Sequence, residues 1–290
     1  AYVIGFETRM VAYDLGDREG ILLGRELARA AAVRSPEPVR GWNLEVDAVI
    51  DAIIRGELAE AERLAEVALA IGQDIGRPDA FIVYGAQIAN IRHHQGRLHE
   101  LIPIMEETLR ANPELRPYRA AIANAHSAAG ELETARAMLD EALGDGLDIH
   151  EDDYWSTTHA SLAEVAHAVG HRPAAELIHA RLDPYRDLLL HGVVLVYPSA
   201  ATVLGVLEHT IARFDDADRS FAQGDALHRT MASPLLISRG EAHWAEMLAD
   251  RGAPGDADRA RALATSALAT ATERGLGLTE RYARQVLDRL

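Results

Sequence analysis

Residues Leu44–Leu69 read LEVDAVIDAIIRGELAEAERLAEVAL, and two amphipathic runs meet in them at Gly56. The first run places Leu44, Val46, Ala48, Val49, Ala52, Ile53 and Ile54 on the apolar side. The second places Leu58, Ala61, Leu64, Ala65, Ala68 and Leu69 there. Spacings of three and four mark one face of a 3.6-residue helix. A single glycine followed by acidic Glu57 fits the end of one helix and the start of the next. The stretch is a helical hairpin, and neither half can bury its apolar face alone.

The turn signal recurs along the chain. It falls at Gly16, Gly56, Gly96, Gly130 and Gly170, weakens to Ala212 in ARFDDADRSF, and returns near Gly255. The spacings are 40, 40, 34, 40, 42 and 43 residues. Five residues beyond six of these turns stands a small or apolar residue: Ala61, Leu101, Ala135, Ala175, Ala217 or Ala260. Periods of this length predict stacked helical hairpins. The expected fold is therefore all-α: an α-α superhelix of about six to seven hairpins, running as one continuous array over 1–290. Leu98–Ala111 reads as one helix. Gly144–Asp153 reads as an acidic loop, with Asp152 or Asp153 capping a helix over Tyr154–Val169. HGVVLVYPS (His191–Ser199) is the least helical stretch and predicts an extended connector with room for a short strand. Leu278–Leu290 would cap the open end of the stack.

Composition narrows the function. A formal net charge of −16 repels phosphate backbones, which argues against nucleic-acid binding. Every basic side chain other than histidine is arginine, so Schiff-base lysines and phosphate-loop lysines are excluded. Cysteine is absent, which excludes disulfides, thiol catalysis and thiolate-bound zinc and suits a reducing, cytoplasmic setting. No apolar run reaches membrane-spanning length and no secretory leader opens the chain. The sequence starts at Ala1, without Met, inside a helical pattern, and this predicts a fragment of a longer polypeptide.

The segments GELAEAERLAEVAL, GRLHELIPIMEETLRANP and GELETARAMLDEAL resemble tetratricopeptide repeats. Across residues 76–143, and again in RGAPGDADRARALATSALATATERGLG, the chain is similar to the helical-repeat region of multidomain bacterial regulators. Such regions lie C-terminal to an AAA- or NB-ARC-like ATPase in class III adenylate or guanylate cyclase-like proteins and in MalT/LuxR-type transcriptional activators. The resemblance implies a non-catalytic regulatory module. Its partners would be a protein, a peptide or a small-molecule inducer on the concave face, with an upstream ATPase and output domain in the same chain. A self-associating scaffold and a stand-alone adaptor are the other readings. His171, Arg172 and Pro173 in the fourth turn, and the missing glycine at 212, depart from the pattern.

In tetratricopeptide arrays the first helix of each hairpin lines the concave surface. Counting back six residues from each turn gives Ile50, Asn90, Asn124, Glu164 and Val206; counting back three gives Ile53, His93, Ser127, His167 and His209. The candidate groove residues are thus Asn90, His93, Asn124, Ser127, Glu164, His167 and His209. The asparagines would bond an extended backbone and the histidines would sense pH or anions. Without lysine, any carboxylate capture would fall to Arg92, Arg119 or Arg213. His167 and His171 are spaced i, i+4, but Gly170 ends the helix between them; Glu176 precedes His179 by three; and the run His150–Asp153 lacks the spacing and glycine of a calcium loop, so exposed charges and a cap account for these groups. No catalytic triad, paired-carboxylate site or cofactor motif stands out.

Overall fold

The computed structural model describes residues 2–112, 116–144, 154–192 and 194–290. The helices are α1 (Tyr2–Asp14), α2 (Arg18–Arg34), α3 (Pro38–Ile54), α4 (Leu58–Asp74), α5 (Ala80–His94), α6 (Ile102–Ala111), α7 (Arg116–Ala128), α8 (Leu132–Gly144), α9 (Trp155–Ala168) and α10 (Arg172–Leu182). Two short strands follow, β1 (Leu189–His191) and β2 (Val196–Ser199). Then come α11 (Ala200–Thr210), α12 (Phe214–Thr230), α13 (Pro234–Arg251), α14 (Asp256–Arg274) and α15 (Gly277–Arg289). The fold is all-α, a stack of helical hairpins. The helices pair as α1/α2, α3/α4, α7/α8, α9/α10, α11/α12 and α13/α14, and α15 lies on both helices of the last pair. The expected loop over Gly144–Asp153, its Asp152 and Asp153 caps, and the His150–Asp153 run lie almost wholly outside the described residues.

The repeated turn has one physical form. At Gly56 the amide donates to the Ile53 carbonyl, and the Glu57 amide reaches back to Ala52. The same two bonds recur at Gly16, Gly96, Gly130, Gly170 and Ala212. This is the Schellman closure, which needs a left-handed residue at the turn. Ala212 adopts it too, at φ 63°, despite carrying a Cβ. The residue after the turn starts a helix whose fifth position packs at the crossing: Ala61, Ala135, Ala175 and Ala217 are fully buried.

The last turn corrects the expectation at Gly255. Gly252, at φ 63°, ends α13, and Gly255, at φ 86°, begins α14. Three inserted residues separate the two jobs that one glycine does elsewhere. Counting from Gly255 places the second helix correctly, since Ala260 is fully buried, but shifts the first helix by three residues.

Leu98–Ala111 is also not one helix. Leu98–Leu101 forms a 3-10 turn, and α6 begins only at Ile102 with Pro103 in its first turn. Proline cannot donate an amide bond to an earlier turn, so the regular helix starts late. As a result α6 packs on α7 and not closely on α5.

The array curls until its ends meet. Helix α13 touches α3, and α15 touches α5. Ser233 joins two helices through one hydroxyl. It donates to the Ile54 carbonyl at 2.7 Å, closing α3, and accepts from the Leu236 amide at 3.2 Å, capping α13. Arginines close the other inner helices. Arg274 donates to Arg55 O at 2.9 Å, Arg281 to Gly96 O and Ala128 O at 3.1 Å each, and Arg172 to Ile211 O at 2.8 Å. Arg136 donates to Val169 O. Each guanidinium meets carbonyls left unpaired at the negative end of a helix. Helix α15 covers the last pair as expected, but that end is not open: α15 also sits against the turns at Gly96 and Gly130.

The connector is a small antiparallel hairpin, with Leu189 opposite Ser199 and His191 opposite Val196. It lies inside the curl, where β2 touches α3, α9, α11, α12 and α13. Among the described residues, no helix is long and apolar enough to cross a membrane.

Candidate functional site

The equivalent positions do align, and they face inward. Most of them are engaged by the chain's own backbone and side chains. Asn90, His93, Asn124 and His209 are buried, while Ser127, Glu164 and His167 are half-buried. The connector and α13 fill the space that an open array would leave to a ligand.

Asn90 bonds an extended backbone, as its position suggests, but the backbone is the chain's own. Its Nδ2 donates to Val196 O at 3.2 Å, and its Oδ1 accepts from Val196 N at 3.3 Å. Asn124 donates to Glu164 at 3.0 Å. Arg239, from α13, donates to the other Glu164 oxygen at 2.6 Å. Burial would raise the Glu164 carboxyl, but Arg239, His93 and Asn124 together hold it well below the usual carboxylate range. His167 contacts Thr210 and Glu246, and His209 contacts Asp250 at 2.9 Å. Burial followed by the neighbouring His167 pushes His209 below the ordinary histidine range. Ser127 supplies the carbonyl of its turn to the Gly130 amide.

The arginines considered for anion capture are already engaged. Arg92 pairs with Glu62, Arg119 with Glu141 and Arg213 with Asp216. His171 accepts from the Ala174 amide, capping α10, and contacts Asp140, so it faces away from His167. His179 pairs with Glu208 at 3.0 Å and not with Glu176.

Among the described residues, part of the inner surface is open. Because α6 starts late and leans on α7, a cavity of about 360 Å³ lies between α5, α6 and α7. Its walls are Phe81, Tyr84, Gly85, Ala89, Leu101, Met105, Tyr118 and Ala121, among others, and Leu195 and Tyr197 of the connector also line it. The rim carries exposed apolar groups: Phe81 at 60 %, Ile82 at 47 % and Ile104 at 52 % exposure. Asn90 and His93 line it as well. Both polar atoms of the Asn90 side chain are bonded to Val196. His93 is 3 % exposed, and neither ring nitrogen has a hydrogen-bond partner; Nε2 lies 3.4 Å from Glu164. A buried ring nitrogen without a partner is costly unless something satisfies it. An apolar enclosure with one unsatisfied polar group suits a small, mostly apolar molecule carrying a hydrogen-bonding group.

Counting from the turns brings Asn90 and His93 to this cavity. It misses the apolar walls, because they arise from the break at Pro103. It also misses Arg239, His243 and Glu246 of α13, the partners of the inner rows. Six residues before Gly252 is Glu246, so the right turn residue would have added it to the row.

A scan against protein-family models matches none, and comparison with curated proteins finds no match.

Proposed function

We propose that this chain is a non-catalytic regulatory module, a tetratricopeptide-like repeat region of a multidomain bacterial signalling protein. Its ligand is a small apolar molecule held in the α5–α6–α7 cavity. The observation that carries this reading is the cavity itself: apolar walls and an apolar rim, with His93 on its lining and the His93 Nδ1 without a hydrogen-bond partner. Its volume falls within the range of small-ligand pockets.

The site is coupled to the rest of the chain by its lining. Leu195 and Tyr197 belong to the connector, and β2 touches helices from both halves of the array. A ligand that prefers one connector position would favour one curvature of the stack. An ATPase and output domain in the same polypeptide would read that curvature as a population shift. Bound protein or peptide on the inner rows is a weaker reading, because the chain's own connector and α13 occupy them.

Equilibrium dialysis against a panel of small apolar compounds, such as indole, benzoate and octanoate, tests the proposal. Binding of at least one, weakened roughly tenfold or more in His93→Ala by loss of a charge-assisted or buried hydrogen bond, supports it. No binding across the panel, or binding indifferent to His93 and to filling the cavity, contradicts it.

A further inference from the structure

The second inner-facing cluster lies away from the cavity, where α9 meets α13. His167 comes from α9. His243 and Glu246 come from one face of α13, spaced i, i+3. The three donor atoms lie within 4.8 Å of one another. His167 Nε2 is 3.1 Å from Glu246 Oε2, and His243 Nδ1 is 3.9 Å from the same oxygen.

The hydrogen-bond pattern fixes which lone pairs point inward. Thr210 Oγ1 donates its only proton to Val206 O at 2.8 Å. It can therefore only accept from His167 Nδ1, which lies 3.0 Å away. That assigns the neutral ring's proton to Nδ1 and leaves the Nε2 lone pair aimed at a carboxylate oxygen. Two acceptors at that distance need a cation between them. His243 Nδ1 adds a third donor atom: the residue is 4 % exposed, and this nitrogen has no hydrogen-bond partner. A proton between His167 and Glu246 would satisfy those two groups and leave His243 orphaned. A metal ion satisfies all three.

We propose that His167, His243 and Glu246 bind one divalent transition-metal ion, such as zinc, and that the ion ties α9 to α13. Two imidazoles and one carboxylate are a donor set for such ions. A tetrahedral ion bound at about 2.1 Å holds its donors roughly 3.4 Å apart, so the cluster closes by a small inward turn of His243. Thr210 acts behind the ligands, orienting His167 as outer partners of metal-bound histidines do. The His167 and Glu246 side chains keep 13 % and 20 % exposure, which gives the ion a path from solvent.

The experiment is calorimetric titration of the chelator-stripped chain with zinc sulfate, paired with thermal unfolding. One equivalent is expected to bind and to raise Tm. Glu246→Gln and His243→Asn should each weaken binding by at least about 100-fold, and Thr210→Val by about tenfold. His191→Asn, at a histidine paired with Asp14, should leave it unchanged. If the His243 variant fails to fold, the imidazole nitrogen spectrum of the unmodified chain decides: zinc should shift His167 Nε2 and His243 Nδ1. Failure of those nitrogens to move, no stoichiometric binding, or equal binding in Glu246→Gln overturns the site and leaves a proton as the bridging cation.

Discussion

Asn90 treats Val196 as a neighbouring strand would: its amide group bonds both the carbonyl and the N–H of that one residue, at 3.2 and 3.3 Å. Asn90 is on α5 and Val196 opens β2, 106 positions later. The pair fixes the connector inside the curl. It uses the type of contact by which a repeat array would hold an extended peptide.

Asn90→Ala would leave two buried backbone groups without partners. Each unmet group costs about 1–3 kcal/mol, so the loss should be roughly 2–6 kcal/mol in urea unfolding. Gln223→Ala, at an exposed contact with Asp187, should stay within about 0.5 kcal/mol. Equal effects would mean that the connector is not anchored by Asn90.

Ala212 holds a left-handed conformation that favours glycine. Ala212→Gly should therefore stabilise the chain by about 1 kcal/mol, because removing the Cβ relieves the clash. The reverse change, Gly130→Ala, meets no neighbouring atom within 4 Å but inherits φ 82°, so it should destabilise by a similar amount. Denaturant midpoints of the two variants, moving in opposite directions, check this pair.

Stability should fall in mild acid. Burial pushes His228 down to about 3 and His159 to about 4. The unfolded chain protonates them near 6.5, so it binds more protons than the folded chain below that pH. Their contribution is complete above about pH 6.5 and is lost as pH falls toward 4, on the order of several kcal/mol. Asp47 works the other way. Burial raises it to about 6 against the pull of Arg9, and its contribution is lost as pH rises through that value. The two histidine shifts are together the larger, so unfolding free energy should rise from pH 4 to 6.5. His228→Gln keeps an acceptor for the Ser199 amide, which His228 Nε2 now meets at 2.9 Å, and should flatten the slope. A slope unchanged by that variant would contradict the assignment.

The hairpin array was legible because its turn is local. A left-handed residue, two backward hydrogen bonds and a small or apolar residue five positions on recur along the array. The connector was legible from its run of valines, which made His191–Ser199 the least helical stretch. The closure was not, since Ser233 on Ile54 and Arg281 on Gly96 join residues 179 and 185 positions apart. No local periodicity records such contacts. The same closure hid the pairing of His243 and Glu246 with His167, since Glu246 lies 79 positions from it. It also turned an expected groove into a packed interior. The cavity depended on one irregularity, the proline that delays α6, whose effect on a neighbouring helix the pattern of apolar residues does not carry.

Gly85 offers the most direct test of the cavity as a ligand site. It lines the cavity from within α5, and a Cβ built there meets only the Tyr118 hydroxyl, at 3.8 Å. Gly85→Leu should therefore fold at least as well as the parent, since it removes a helix-interior glycine, while filling the binding volume. Saturation-transfer NMR with an apolar compound that binds the parent chain is the measurement. Loss of the signal in Gly85→Leu, with Tm unchanged or raised, is the expected result; an undiminished signal in a folded variant would contradict the proposed site.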